Sequence, residues 1–503
     1  MKRLFFLGVL VLFFFSGVLC LMAEPTARYI VTFKSSDEIA RPEMSRADFI
    51  RSLQFNLDKN LTEVKSPSLF HEVDKLWAAN AIVISATDQE AKEISGLSNV
   101  ERVTKSLYKK WINDPVPDKN NLVLRDGGNE PVWNIAKVNA PKVWSDLKID
   151  GSGIVVGVID SGIDANHPYL AGKCVAFKDF TKAAKKEPYD DLGHGTHVSG
   201  TIAGGNGVGM APGSKLIVAK VFDANGGGED EVMLKAMQWI MDPDGNPATN
   251  DSPKFVNNSW GSNANDKNCW EITKNWVAAG ILPIFSAGNQ GPAGIVGSPG
   301  DYPHVFAVGA STKDDWGFYF SSIGPSVWDG VTYIKPDIAA PGSSIVSCKV
   351  GGGTVSMNGT SMAAPHVAGL VALMMQANPR LSSPQICSLI ASTAIDLGAP
   401  GKDIKFGYGR IDAFACVSQA LAQTNLQTPF AAFKDILETE EALVGIQPLS
   451  ALAAPFAHSL AVRASQMDKV EFQSLLNQFS NDPLLSSILK EASKIRSFNS
   501  LQK

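Results

Sequence analysis

The chain has 503 residues, too many for one ordinary hydrophobic core, so two or three domains are expected. With 45% apolar and 19% charged residues it has the composition of a soluble globular protein. Its formal charge of −5 is small for this length and argues against a dedicated nucleic-acid surface.

Lys2 and Arg3 precede an apolar run from Leu4 to Ala23, so residues 1–23 read as an export signal. Two alternatives stand beside it. The run is long enough to stay as a membrane anchor, and Cys20 offers a lipid-attachment thiol, though Gly17-Val18-Leu19 lacks the small residue expected before such a cysteine. All three readings imply export, with an extracellular or periplasmic location and a membrane role only if residues 4–23 are kept. Five further cysteines follow: Cys174, Cys269, Cys348, Cys387 and Cys416. In an exported chain one or two disulfides are expected among them, with at least one thiol left over. Isolated buried thiols are the alternative, and none of the five has metal-site spacing.

Residues 24–112 read as a small unit of their own. Tyr29–Lys34 and Asn80–Ala86 carry the strand signature. Thr87 and Glu90 form a capping box that opens a short helix closed at Gly96, and Asn99–Val103 returns as a strand. The pattern is βαββαβ-like. Asn113 to Glu130 is polar, with Pro and Gly, and makes a linker over 113–130.

From 131 to 418 short apolar runs alternate with helical segments. Ile154–Ile159, Leu216–Phe222, Phe255–Asn258, Leu282–Ala287 and Val305–Val308 read as strands buried on both faces. Glu229–Met241 and Lys267–Ala279 read as helices, the second closed by Gly280. Alternation of this kind predicts an α/β fold, a mainly parallel sheet flanked by helices. Ligands in such sheets bind beyond the carboxyl ends of the strands, where Asp160 and Asn258-Ser259 fall and after which Asn289 comes. Residues 419–503 change character. They are rich in Ala, Leu, Gln and Ser, and Val470, Phe472, Leu475, Leu476 and Phe479 have near-helical spacing, so a mostly helical extension is expected.

Three stretches carry chemistry: Ile159-Asp160-Ser161-Gly162-Ile163, His194-Gly195-Thr196-His197-Val198-Ser199-Gly200 and Gly359-Thr360-Ser361-Met362-Ala363-Ala364-Pro365. They supply an acid, a base and a nucleophile in the order Asp…His…Ser. A serine hydroxyl is a weak nucleophile at neutral pH, so an imidazole must take its proton and a carboxylate must fix the imidazole tautomer. Asp160 ends an apolar strand, where an unpaired carboxylate is costly and an imidazole would partner it. Ser361 to Gln376 reads as a helix except for Pro365, which is tolerated near a helix start. That puts Ser361 at the helix N-terminus, where backbone N–H groups favour negative charge. His194 and His197 lack the companion acid of a zinc helix, so His197, like His366, is read as structural. Asp190 and Asp191 are expected to face solvent.

The three motifs and their order resemble those of subtilisin-like serine proteases over roughly residues 130–417, and Phe406 to Ala413 resembles the sequence closing such domains. The resemblance implies a serine endopeptidase that cleaves extended polypeptides through Asp160, His194 and Ser361. Residues 24–112 resemble the family's inhibitory pro-segments, which implies a self-processing zymogen cut in the linker, with its own pro-segment as intramolecular partner. Asn289, in Ser286-Ala287-Gly288-Asn289, matches the oxyanion-hole asparagine, to act with the Ser361 N–H. Gly226, Gly227 and Gly228 look like one strand that pairs with substrate backbone, and Ser259, Trp260 and Gly261 look like the other. The first specificity pocket would lie between them, lined by these residues and by Ser286–Asn289, with Gly297 at its base. Gly297 would leave this pocket deep and no acid falls on the matched positions, so broad specificity is expected, with large apolar or aromatic side chains preferred. No cofactor is required. Calcium is possible, but Gly204 to Pro212 is short and lacks carboxylates, which leaves the main family calcium site doubtful. An esterase or amidase would use the same triad, but the two peptide-pairing strands argue against it. A binding module on a dead protease fold is the other alternative, and no triad residue is lost.

Overall fold

The computed structural model describes residues 26–34, 44–62, 71–112, 122–123, 130–291, 294–317 and 319–424. The expected signal, most of the linker and the helical extension after residue 424 lie outside the described residues. Among those described, no helix is long and apolar enough to cross a membrane.

The first body follows from period-two patterning. Strands Ala27–Phe33, His71–Leu76, Ala81–Ala86 and Val100–Lys105, with helices Arg46–Thr62 and Asp88–Ser95, run in βαββαβ order. The antiparallel sheet has the order His71–Leu76, Ala81–Ala86, Ala27–Phe33, Val100–Lys105. Val31, Ile82 and Ile84 pack with Leu57 and Ile94 on one face. Ile30, Ala81 and Val83 belong instead to a core shared with Met233 and Met237 of the second body. The capping box is present: Thr87 Oγ1 accepts from the Glu90 N–H, and Glu90 accepts from the Thr87 N–H.

The second body is built on a parallel seven-stranded sheet. Its order is Ile338–Pro341, Phe306–Ser311, Leu282–Ser286, Phe255–Asn258, Val155–Asp160, Lys215–Lys220, Cys174–Asp179. Alternate residues of each strand enter different cores. Val156, Val158, Leu216 and Val218 meet helices His194–Ala203 and Thr360–Ala377. Ile159, Ile217, Ala219 and Val256 meet helices Asp230–Met241 and Trp270–Ala278. Burial on both faces is why these strands read as continuous apolar runs. The two edge strands lack the continuous apolar signal of the inner ones: Cys174–Asp179 is only half buried, and Ile338–Pro341 ends on a proline with Pro336 just before it.

Two expectations need correction. The five described cysteines are all free thiols. They sit on separate elements, and burial pushes Cys174 up to about 11 and Cys387 and Cys416 up to about 12, so they behave as packed, inert side chains. Pro365 is not in the first turn. It lies six residues into the Thr360–Ala377 helix, where it cannot donate to the Ser361 carbonyl. The Ser259 hydroxyl supplies that hydrogen bond instead, at 2.8 Å.

Candidate active site

The acid, the base and the serine come from three elements that meet at the carboxyl rim of the sheet. Asp160 is the last residue of its strand, fully buried, and its Oδ1 lies 2.7 Å from His194 Nδ1. The Ser161 N–H also donates to that oxygen, at 2.7 Å. Nδ1 thus carries the ring proton of the neutral imidazole and Nε2 is left as the basic nitrogen. His194 opens its helix, after Gly193 in the left-handed conformation (φ 94°). Close backbone contact explains the small residues of both motifs: a Cβ on Gly195 would stand 2.2 Å from the Gly162 carbonyl oxygen.

Asp190 departs from expectation. It is buried rather than solvent-facing, and its carboxylate accepts from the Ser161 hydroxyl, the Leu192, Gly193 and Thr196 N–H groups and the Thr196 hydroxyl, at 2.7–3.1 Å. The Ser161 hydroxyl oxygen in turn accepts from the Gly195 N–H at 2.9 Å. Asp190 therefore fastens the Asp160 strand end to the start of the His194 helix. Its position just before a helix start was the available signal, since acids there satisfy unpaired N–H groups. Asp191 does reach the exposed side, where it pairs with the buried Lys220 ammonium at 2.6 Å.

Ser361 is the second residue of its helix. Its Oγ donates to the Ser259 carbonyl at 3.1 Å. Asn289 faces the same helix start: its Oδ1 accepts from the Thr360 N–H and the Thr360 hydroxyl, both at 2.9 Å. With the oxygen so held, the orientation of the amide is fixed. Thr360 was not singled out from the sequence, yet it sets the Asn289 side chain and also accepts from the Gly288 N–H at 3.1 Å.

Trp111, Trp260, Gly261, Ser286, Gly288, Asn289, Gly297 and Ser361 line a cavity of about 120 Å³. Ser259 was expected on this wall. Its side chain is instead fully buried beneath it, engaged with the Ser361 carbonyl. Gly297 lines the cavity, but its missing Cβ does not deepen it, because a Cβ there would stand 2.5 Å from the Ser262 carbonyl oxygen. Trp260 packs edge-on against Trp111, Phe222 and Phe285.

Strand Gly227–Glu229 pairs antiparallel with Tyr108–Lys110. The Trp111 and Ile112 N–H groups both donate to the Gly226 carbonyl, at 3.0 and 3.2 Å, and the Gly261 N–H donates to the Trp111 carbonyl at 3.4 Å. Gly226 has φ 76°, and a Cβ on Gly227 would collide with the Tyr108 ring, so glycine is needed for a chain to lie here. Residues 108–112 thus occupy the groove between the two segments and lead toward Ser361.

His197 and His366 are fully buried. His197 Nε2 bonds the Ile345 carbonyl at 2.9 Å, and His366 Nδ1 bonds the Met362 carbonyl at 2.8 Å. Burial holds His197 down to about 3 and His366 to about 4, against the opposing pull of those carbonyls. Both are neutral when folded and take up protons near 6.5 when unfolded. Their contribution is fully present above about pH 6.5 and is lost as pH falls from 6.5 to about 4 for His366 and to about 3 for His197, by up to about 1.4 kcal/mol per pH unit for each. Urea midpoints of the Ser361→Ala protein should drop steeply over that window, and His197→Gln should flatten the slope. An unchanged slope would mean that His197 is not held neutral.

The family model described as the subtilase family matches residues 151–409. Bacillopeptidase F of Bacillus subtilis (strain 168) is 33% identical over 419 residues, 74% of this chain and 28% of that protein. Subtilisin-like protease 6 of Trichophyton verrucosum (strain HKI 0517) is 35% identical over 291 residues, 56% of this chain and 67% of that one. Subtilisin NAT of Bacillus subtilis subsp. natto is 34% identical over 290 residues, 56% of this chain and 70% of its own length. The chain belongs to the subtilase family, the subtilisin-like serine endopeptidases. It spans little more than a quarter of the length of Bacillopeptidase F and about two thirds of the other two.

Proposed function

We propose that the chain is an exported serine endopeptidase made as a self-processing zymogen, with residues 1–23 as signal, 24–112 as inhibitory pro-segment, 113–130 as processing linker, 131–418 as catalytic domain and 419–503 as an extension. The observation that carries it is the seating of residues 108–112 in a groove that ends at Ser361 and Asn289. A groove that pairs with main chain on one edge and takes a side chain in a cavity recognises an extended polypeptide.

In this reading the Ser361 hydroxyl leaves the Ser259 carbonyl and gives its proton to His194 Nε2 as Oγ attacks the scissile carbonyl carbon. Asp160 stabilises the imidazolium that forms. The developing oxyanion receives the Ser361 N–H at the helix start and the Asn289 amide. His194 then protonates the leaving amine, and water repeats the sequence on the acyl-enzyme. Every step uses side chains and backbone of this chain, so no cofactor enters. A fluorophosphonate probe should attach covalently to Ser361 of the processed protein and abolish casein hydrolysis together with it. A processed protein that hydrolyses casein but takes the label elsewhere, or not at all, would refute the assignment.

A further inference from the structure

The groove holds a charged cluster that the reaction does not use. The Lys109 ammonium sits between two carboxylates of the second body, 2.9 Å from Asp230 Oδ1 and 3.1 Å from Asp266 Oδ2. Lys109 lies opposite Gly228 in the antiparallel register, so main-chain pairing fixes where its side chain enters. Its ammonium also stands 5.4 Å from the centre of the Trp111 ring.

Asp230 is only 2% exposed. Among the described residues its carboxylate meets the Lys109 ammonium and the Leu107 N–H, the latter at 3.1 Å, and its own N–H donates to the Leu107 carbonyl at 3.1 Å. A buried acid of the second body therefore takes its polar partners from the chain lying in the groove. Asp266 is held in advance by its own body: Oδ2 accepts from the Ser262 hydroxyl at 3.2 Å and Oδ1 from the Asn268 N–H at 2.9 Å. Burial works against the charge on Lys109, but the hydrogen bond to Asp230 and the charge of Asp266 outweigh it, and the net shift is upward.

We propose that Asp230 and Asp266 form an acidic subsite that selects polypeptides with lysine or arginine at the position Lys109 holds, two residues before the one that sits where Trp111 sits. The inference rests on reading residues 108–112 as lying where a substrate lies. Once that segment leaves, a substrate pairing with Gly227–Glu229 brings its own side chain to these two acids. A basic residue restores the charge-assisted contacts. A neutral one leaves Asp230 without a counter-charge, and an acidic one adds repulsion, so discrimination comes from the penalty as well as the attraction.

The test uses protein matured from the full chain and three peptides of residues 104–118: the natural one, Lys109→Gln and Lys109→Glu. At low salt kcat/KM should fall about tenfold for Gln and about a hundredfold for Glu, and the differences should shrink as salt rises. Asp266→Lys in the enzyme should reverse the order, favouring the Glu peptide, and Asp230→Asn should draw the Lys-to-Gln ratio toward one. Equal kcat/KM for all three peptides, with casein hydrolysis still dependent on Ser361, overturns the subsite and leaves the endopeptidase reading intact. A lysine preference that survives Asp266→Lys also overturns it. Failure to cleave casein and peptides alike refutes the endopeptidase reading, and the subsite goes with it.

Discussion

Purified Ser361→Ala protein is expected to stay full length through residues 24–112, while the natural sequence loses them at a rate independent of protein concentration. The reason is geometric. Residues 108–112 are pinned by pairing with Gly227–Glu229 and by hydrogen bonds to Gly226 and Gly261, and Trp111 lines one cavity with Ser361, so the segment just before the proposed processing linker is held beside the nucleophile of the same molecule. Intramolecular presentation of this kind reaches effective concentrations of roughly 10⁵ M or more when the alignment is good, far beyond what a neighbouring molecule offers. The substitution removes a hydroxyl whose one described hydrogen bond as donor is to the Ser259 carbonyl. The hydrogen bond from the Ser259 hydroxyl to the Ser361 carbonyl, which stands in for the missing Pro365 N–H, is untouched, so the variant should fold with the first body attached. Intact mass before and after incubation, with no other protease present, reads the outcome directly. Normal maturation of the Ser361→Ala protein would remove self-processing and with it the role given to Ser361.

The attachment of the first body does not depend on the groove alone. Arg28 pairs with Glu231 at 3.1 Å and Lys235 with Asp74 at 2.8 Å. Asn275 donates to the Ala78 carbonyl at 2.9 Å, and the Ala78 N–H donates to Gln238 at 3.1 Å. Beneath these contacts Ile30, Leu76 and Val83 share a core with Met233, Met237 and Trp276. If the linker is cut as proposed, the apolar contact remains, so residues 24–112 should stay bound after cleavage, and such persistence would suit the proposed inhibitory role.

How legible all this was in the sequence depended on the kind of signal. Strands buried on both faces were readable because residues 155–159 and 216–219 are apolar or small at every position. The helix opened by Thr87 was readable because its cap is local chemistry. Asp160, His194 and Ser361 stood out through their motifs, and Asp160 lies 2.7 Å from His194 in the fold. What escaped was set by tertiary contact. Nothing in Pro365 tells that a serine a hundred residues earlier replaces its missing hydrogen bond. For Asp190 the four donors from Leu192, Gly193 and Thr196 are local to the helix start, and only the Ser161 hydroxyl, which ties it to the Asp160 strand, is a distant contact. Gly297 was read as room for a substrate, but the space belongs to the Ser262 carbonyl. Thr360 is a small polar residue whose role is defined by Asn289, seventy-one positions away.

That last contact makes Asn289 the sharpest test of transition-state chemistry. Its Oδ1 is engaged by the N–H and the hydroxyl of Thr360, so the amide is oriented before substrate arrives. A donor fixed in advance costs no reorganisation as charge develops on the scissile oxygen, and it contributes more in the transition state than in the bound substrate. Asn289→Ala should therefore lower kcat by about a hundred- to a thousandfold, with KM changed little. The variant also leaves the Thr360 N–H and hydroxyl without their acceptor, so Asn289→Asp serves as a control. It keeps an acceptor for Thr360 but replaces the amide donor with a negative charge. Both variants should be slow, and Asn289→Asp the slower, because its carboxylate would repel the oxyanion. Single-turnover acylation of a peptide ester separates this step from binding. Unchanged kcat with a raised KM in Asn289→Ala would make Asn289 a binding residue, and an Asn289→Asp protein as fast as the natural one would show that the Thr360 contact, and not the amide, is what the reaction needs.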